Sequence, residues 1–384
     1  AELVGEDELT DIAVIRISGS VLPPAPLGTS AGLFVGEPAV AIGNPSGFAL
    51  QNTEATVTSS VISGVGRDIR GQTGQEVLYA DMIQTDAEGE APAFRASVGG
   101  SPYNCARALG RLGAAAGYLT PISTDRMGER LAAAMAADGV ALLGGRSPRP
   151  TAMALVTLED GQPHYQFYRE GVADRDVTPA GLRGAMPEGA RALHLGSLAL
   201  LDGPDAEALA ALAEEAAAGG LTVSVDPNIR PMVPGSDAPA YRDRLARVLS
   251  HADVIKLSDE DLDWFDPAAA TDPEGAAAAL VARFRPGLLV LTRGAKGAIA
   301  FHGGTRLTVP AAPLPRLVDA VGAGDTFMAA LLDGLGRAGA LDRAALAAMP
   351  VATLRAMLER AARAAAVTCS RAGCNPPSAA ELDG

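Results

Sequence analysis

The stretch DAVGAGDTFMAALLDGL, residues 319–335, sets two glycines and an alanine directly before a run whose apolar residues recur at helical spacing. The first N–H groups of a helix have no partner within it, and the helix dipole makes that end positive. A glycine-rich entry of this kind therefore opens backbone donors toward an anion. Asp325 follows in the expected first turn, where its carboxylate can take a proton from a hydroxyl lying beside that anion. Phosphoryl transfer asks little more of a protein than positioning, charge stabilisation and one base. On this reading Asp325 is the catalytic base, and Gly322, Ala323 and Gly324 form the anion hole. A glycine turn with an acidic first-turn residue is the bland alternative, and only the rest of the chain decides between them.

Around that stretch, alanine-rich runs of helical period at 101–112, 127–137, 205–218 and 273–284 alternate with apolar strands such as LTVSVD, DVIKL and GLLVLT. Such alternation implies βαβ units and a mostly parallel sheet covered by helices. Ser101-Pro102 is expected to open one helix as cap and first-turn proline, and Gly113 to close it. Residues 151–171, TAMALVTLEDGQPHYQFYREG, read as a hairpin about Asp160-Gly161, a flap over a site. Residues 1 to about 80 have another texture. DIAVIRI, EPAVAIG and ATVTSSVISGVG are short β-branched runs between Pro, Gly and Asn turns, as in a fragment of a β-barrel or sandwich.

Composition narrows the partners. The 384 residues are 48% apolar, enough for a sizeable core, and 31 basic against 45 acidic residues give a net charge of −14. That is the wrong sign for gripping phosphate backbones or anionic lipid, so neither nucleic acid nor a membrane is expected as partner. Three scattered cysteines make neither a disulfide framework nor a zinc site, which points to a reducing, cytoplasmic setting. The four histidines show no ligand pairing, and no GxxxxGK[ST] loop is present. Lys296 reads equally well as a phosphate contact or a surface residue.

Ordered motifs over residues 88–377 carry a resemblance: GGSPYNCARALGRLG at 99–113, PISTDRMG at 121–128, FYREG at 167–171, DPNIRP at 226–231, KLSDEDL at 256–262, LTRGAKGA at 291–298, the stretch ending in Asp325, and AAVTCSRAGCNPP at 365–377. Together these resemble the PfkB/ribokinase family of carbohydrate kinases, most closely its fructokinase-like members. The resemblance implies an α/β fold, a ribokinase-like mostly parallel sheet flanked by helices with a small β flap at about 91–98 and 151–170. It implies transfer of the γ-phosphoryl group of ATP to a hexose hydroxyl, fructose first. Gly99, Gly100 and Asn104 would bind the sugar, with Arg169 reaching it from the flap. Thr292, Gly294 and Gly297 would form the nucleotide loop, with Asn375 near the adenine. Asp261 would organise magnesium through water, and Asp319 a monovalent cation such as potassium, although Ala320 replaces the usual Thr there. Ser258 stands where many relatives carry Asn, and Cys105 is expected as core filler. In this family the flap also contacts a second subunit, so a homodimer through it is expected.

Residues 1–87 resemble another family, the HtrA/DegP-type trypsin-like serine proteases. TDIAVIRI at 10–17 matches the strand of the triad aspartate, here Asp11, and DMIQTDA at 81–87 matches the approach to the nucleophile. EGEAPAF then stands where the family has GNSGG, and no histidine precedes Asp11. A triad needs nucleophile, base and acid together, so an incomplete β-barrel segment without proteolytic activity is expected over 1–75. A binding or regulatory module is its alternative role. GTSAG at 28–32 fits a nucleophile-elbow pattern but lacks the strand, helix and histidine such an elbow needs. The kinase domain would then run over 76–384. EVLYADM at 76–82 occupies the place of the kinase family's first strand, which makes Asp81 a sugar-binding candidate and suggests that the borrowed strand completes the kinase sheet.

Overall fold

The computed structural model describes residues 2–7, 12–16, 28–43, 56–70, 78–85, 97–159, 162–229, 238–314 and 316–383. The chain divides into two compact units, Ala1–Ala96 and Ser97–Gly384, a boundary later than the expected 75/76 junction. Asp11 and residues 91–96 of the expected flap lie outside the described residues.

In the first unit, β1 (Glu2–Asp7) pairs antiparallel with β2 (Ile12–Arg16). A second sheet orders β3 (Pro38–Gly43), β4 (Thr56–Arg70) and β5 (Leu78–Thr85), all antiparallel. The strand bearing Asp81 thus lies in this sheet beside β4, with several register shifts along the pairing, and not in the parallel sheet of the second unit. The expectation that it completes the kinase sheet is corrected on this point. Asp81's side chain lies outside the described residues. Among the described residues of this unit, Ile62 is the one buried apolar side chain, while Leu3, Val4, Val14, Phe34 and Val40 are each more than half exposed.

The second unit is built on six strands in sequence order: β6 (Ala192–Gly196), β7 (Thr222–Asp226), β8 (Val254–Ser258), β9 (Leu288–Thr292), β10 (Ala298–His302) and β11 (Thr305–Val309). The first four are parallel and the last two antiparallel. Strands buried on both faces alternate their apolar side chains between two cores. Val223, Val225, Ile255, Leu257, Leu289 and Leu291 pack on one face. Val254, Leu288, Val290, Ala298 and Ala300 pack on the other, against helices α1 (Ser101–Arg111), α2 (Ala323–Arg337) and α3 (Val351–Cys369). Each fully buried Leu or Val contributes about 1.5–3 kcal/mol relative to exposure. The same alternation sends Lys256, two residues after Val254, to the α2 side of the sheet.

Two details differ from the sequence reading. Gly100, at φ 127°, is the N-cap of α1, and Ser101 and Pro102 are its first two residues, so the Ser101 hydroxyl makes no cap hydrogen bond. Gly113 takes a left-handed φ of 83° just beyond the helix end, as expected of a closing glycine. The hairpin is present: Met153–Glu159 pairs antiparallel with Gln162–Tyr168, Glu159 opposite Gln162. Among the described residues no helix is long and apolar enough to cross a membrane.

Candidate active site

Parallel strands direct their carboxyl ends to one edge of the sheet, and ligands of open α/β folds bind there. Asp226, Ser258 and Thr292 are the last residues of β7, β8 and β9. The amino end of α2 arrives beside them: Gly322 caps it at φ 77°, Ala323 and Gly324 open it, and Asp325 stands in its first turn. Position 322 favours glycine, because a Cβ there would lie 2.2 Å from Cys374 Sγ and its φ is left-handed. Ala323 N–H turns back onto the Ala320 carbonyl at 3.3 Å.

Asp325 is 6% exposed. Its Oδ1 accepts from Ser101 Oγ at 2.6 Å and its Oδ2 from Asn104 Nδ2 at 2.8 Å. Burial pushes its carboxyl up to about 6; Asp226 pushes the same way, while the Ser101 and Asn104 hydrogen bonds and Lys256 pull back. Beside the first turn of α2, Lys256 Nζ donates to Asp226 Oδ2 at 2.7 Å, with both side chains almost wholly buried. A Cβ on Gly324 would sit 3.2 Å from that ammonium, so the cation lies against the first turn of α2. Burial opposes the Lys256 charge, yet Asp226, Asp261 and Asp325 outweigh it and hold the amine above its ordinary value. Neither Lys256 nor Asp226 was singled out from the sequence. The available signal was a lysine inside VIKLS and an aspartate closing TVSVD, charged residues in strands that a parallel sheet buries.

The structure gathers Gly99, Gly100 and Asn104 with Asp325. A Cβ on Gly99 would be 3.8 Å from Asn104 Oδ1, an atom that is buried without a partner among the described residues. Thr292 caps β9 with its hydroxyl on the Leu257 carbonyl at 3.1 Å, and a tight turn follows in which Gly294 and Gly297 have φ 51° and 81°. A Cβ on Gly297 would lie 2.2 Å from the Val309 carbonyl, so this loop is pressed onto β11. Asn375 is exposed, and its Oδ1 accepts from Arg111 at the end of α1 at 3.1 Å. Asp319 binds two backbone amides, Val321 N–H at 2.9 Å and Gly373 N–H at 2.8 Å, tying the glycine loop to the carboxyl-terminal loop.

Two expected site residues are otherwise engaged. Arg169 donates to Asp202 at 2.5 Å and to the Leu198 carbonyl at 2.8 Å, in a network that Arg175 extends to Asp205. Asp261 is 2% exposed; its Oδ1 accepts from Ile229 N–H at 2.5 Å and its Oδ2 from the Ser258 amide and hydroxyl. With Ser258 as N-cap this is a capping box on helix Asp259–Phe265, which gives serine at 258 a local reason. Asp261 therefore latches the segment after β7 to the end of β8. Cys105 is core filler as expected, 1% exposed. His194, pushed down to about 4 by burial, and His302, with both ring nitrogens on backbone carbonyls, are structural.

The chain matches the pfkB family carbohydrate kinases over residues 75–381 and a trypsin-like peptidase domain over residues 1–95. It is 37% identical over 276 residues to a fructokinase of Rhizobium leguminosarum bv. trifolii, covering 72% of this chain and 82% of that one. It is 33% identical over 304 residues to fructokinase-2 of Solanum habrochaites, covering 76% and 88%. A fructokinase of Xylella fastidiosa solved with bound ATP has the same ribokinase-like fold, with a TM-score of 0.67 and 31% identity over 74% of this chain and 88% of that one. With a buried carboxylate at the head of α2, a buried ammonium beside it and relatives of this similarity, the chain belongs to the pfkB family of carbohydrate kinases, joined to a segment that matches a trypsin-like peptidase domain.

Proposed function

We propose that this sugar kinase phosphorylates a neutral hexose, with fructose and its 6-hydroxyl as the first choice. The observation that carries the reading is Asp325, a buried carboxylate in the first turn of α2, with the Gly322–Gly324 backbone on one side and Lys256 beneath. Asp325 takes the proton of the sugar hydroxyl as its oxygen attacks the γ-phosphoryl group of ATP. The main-chain donors at the head of α2, the helix dipole and the Lys256 charge hold the negative charge that moves onto the phosphoryl oxygens. Gly99, Gly100 and Asn104 border the sugar; Thr292, Gly294, Gly297 and Asn375 border the nucleotide. The fructokinase relatives support fructose as the substrate.

A divalent cation, magnesium, fits as an ion that arrives with the nucleotide. Among the described residues no three acidic, His or Cys side chains gather into a metal cage, whereas Asp226 Oδ1 is a buried hard oxygen without a partner there, of the kind that would accept from a water of the ion's shell. Magnesium keeps several waters and binds chiefly through phosphate oxygens, where it neutralises charge. Asp319, which accepts from the Val321 and Gly373 amides, is the carboxylate proposed beside a potassium ion.

The test is ADP release from ATP with fructose, ribose, 2-keto-3-deoxygluconate and adenosine in parallel, with Asp325→Asn as the control. Fructose is expected to give the highest kcat/KM, and the variant to lose about 100-fold or more in kcat. Turnover that prefers another acceptor replaces fructose; turnover that survives Asp325→Asn removes the base.

A further inference from the structure

The sequence expects Ser101 to cap α1, yet Gly100 is the cap, Ser101 is the first helical residue, and its hydroxyl points across to α2. One helical turn later Asn104 presents its amide to the same carboxylate. Positions i and i+3 of a helix share a face, so the two side chains reach Asp325 as a pair, Ser101 on Oδ1 at 2.6 Å and Asn104 on Oδ2 at 2.8 Å. An ionised carboxylate only accepts hydrogen bonds, which fixes the Asn104 amide with its NH2 toward Asp325 and its Oδ1 toward Gly99. We propose that Ser101 and Asn104 are positioning residues, a two-point clamp from α1 that orients the carboxylate of Asp325 toward the substrate hydroxyl. The inference rests on Asp325 being the base, and it revises the role of Asn104. The donor side of that amide serves the base, and the unpartnered Oδ1 remains as an acceptor for a sugar hydroxyl.

A buried carboxylate with no donors would protonate or turn toward water. Two charge-assisted hydrogen bonds, one per oxygen, fix both its charge and its plane. The other charged or titratable groups facing Asp325 are Asp226 from β7, Lys256 from β8, Cys105 from α1 and Cys374 from the carboxyl-terminal loop. Asp226 opposes ionisation and Lys256 favours it. The clamp adds its two donors from α1, one to each carboxylate oxygen.

The experiment is a carbon-13 NMR titration of the full chain labelled at aspartate side chains, with the Asp325 resonance assigned by its loss in Asp325→Asn. A donor to the ionised form lowers the midpoint, so its removal raises it. Ser101→Ala and Asn104→Ala are each expected to move the midpoint upward by roughly one pH unit, and Ser101→Thr, which keeps the hydroxyl, to leave it close to wild type. The acid limb of kcat/KM for the sugar should move by the same amount, which a merely structural role would not produce. A midpoint unmoved in both alanine variants overturns the clamp. Should Asn104→Ala fail to fold, Ser101→Ala decides alone. Because the titration needs no substrate, the outcomes separate. A moved midpoint without sugar phosphorylation keeps the clamp and removes the proposed function. Phosphorylation that depends on Asp325 with an unmoved midpoint does the reverse.

Discussion

Asp325 shows at the scale of one residue how burial and hydrogen bonding oppose each other. Burial favours the protonated acid, and the donors around it oppose burial only in part, so the carboxyl stays raised, at about 6. A base works only when deprotonated, so kcat/KM is expected to fall about tenfold per pH unit below that midpoint and to level above it. A pH–rate profile between pH 5 and 8 checks this, and a flat profile would assign the proton to another group. Lys256 makes the complementary case. Its ammonium and Asp226 are buried together, so Lys256→Met leaves a carboxylate unpaired in the interior. Removing one partner of such a pair costs about 3–5 kcal/mol, measurable as a lowered denaturant midpoint, and kcat should fall with it because the anion hole loses its charge. The place of Asp325 in a first helical turn was legible from sequence because the glycines before it announce a helix end. The ammonium was not, since its approach to Gly324 depends on two strands and a helix far apart in the chain.

At the scale of elements, the amino end of α2 and the close of β8 are held by short-range contacts whose loss should be local. Gly322→Ala places a Cβ 2.2 Å from Cys374 Sγ at φ 77°. The left-handed φ alone costs about 1–2 kcal/mol, and the clash must displace the carboxyl-terminal loop. A lowered melting temperature and at least a tenfold loss of kcat are expected, read by thermal unfolding and steady-state kinetics. Asp261→Ala removes the capping box and the latch on Ile229, with an expected loss of about 1–3 kcal/mol in urea unfolding. A variant as stable as wild type would return Asp261 to a purely ligand-facing role. Helices at 126–137, 203–218 and 273–284 fall where periodicity put them, because an amphipathic stripe and its caps are local properties. The cap of α1 was misassigned by one residue, since whether Gly100 or Ser101 leaves the helix depends on where the hydroxyl finds its partner.

At the scale of the molecule, the two units differ in how much apolar surface they hide. The second has two cores flanking its sheet, whereas the described residues of the first leave Leu3, Val4, Val14, Phe34 and Val40 exposed. Cleavage follows local opening, which is cheapest where few apolar contacts hold the backbone. Limited thermolysin digestion is therefore expected to cut within residues 1–70 first and to leave a fragment beginning near Ser97 that persists; a fragment of residues 1–70 outlasting it would contradict the inference. By itself the sequence determined the fold class, the kinase family and the glycine-led helix that carries Asp325, because turns, caps and helical periods are written in neighbouring residues. Only the tertiary structure decided that Ser101 and Asn104 serve Asp325, that Arg169 is tied to Asp202 and that β5 pairs with β4. Each of those depends on which distant segment supplies the partner for a polar group, and burial makes that choice when the chain packs.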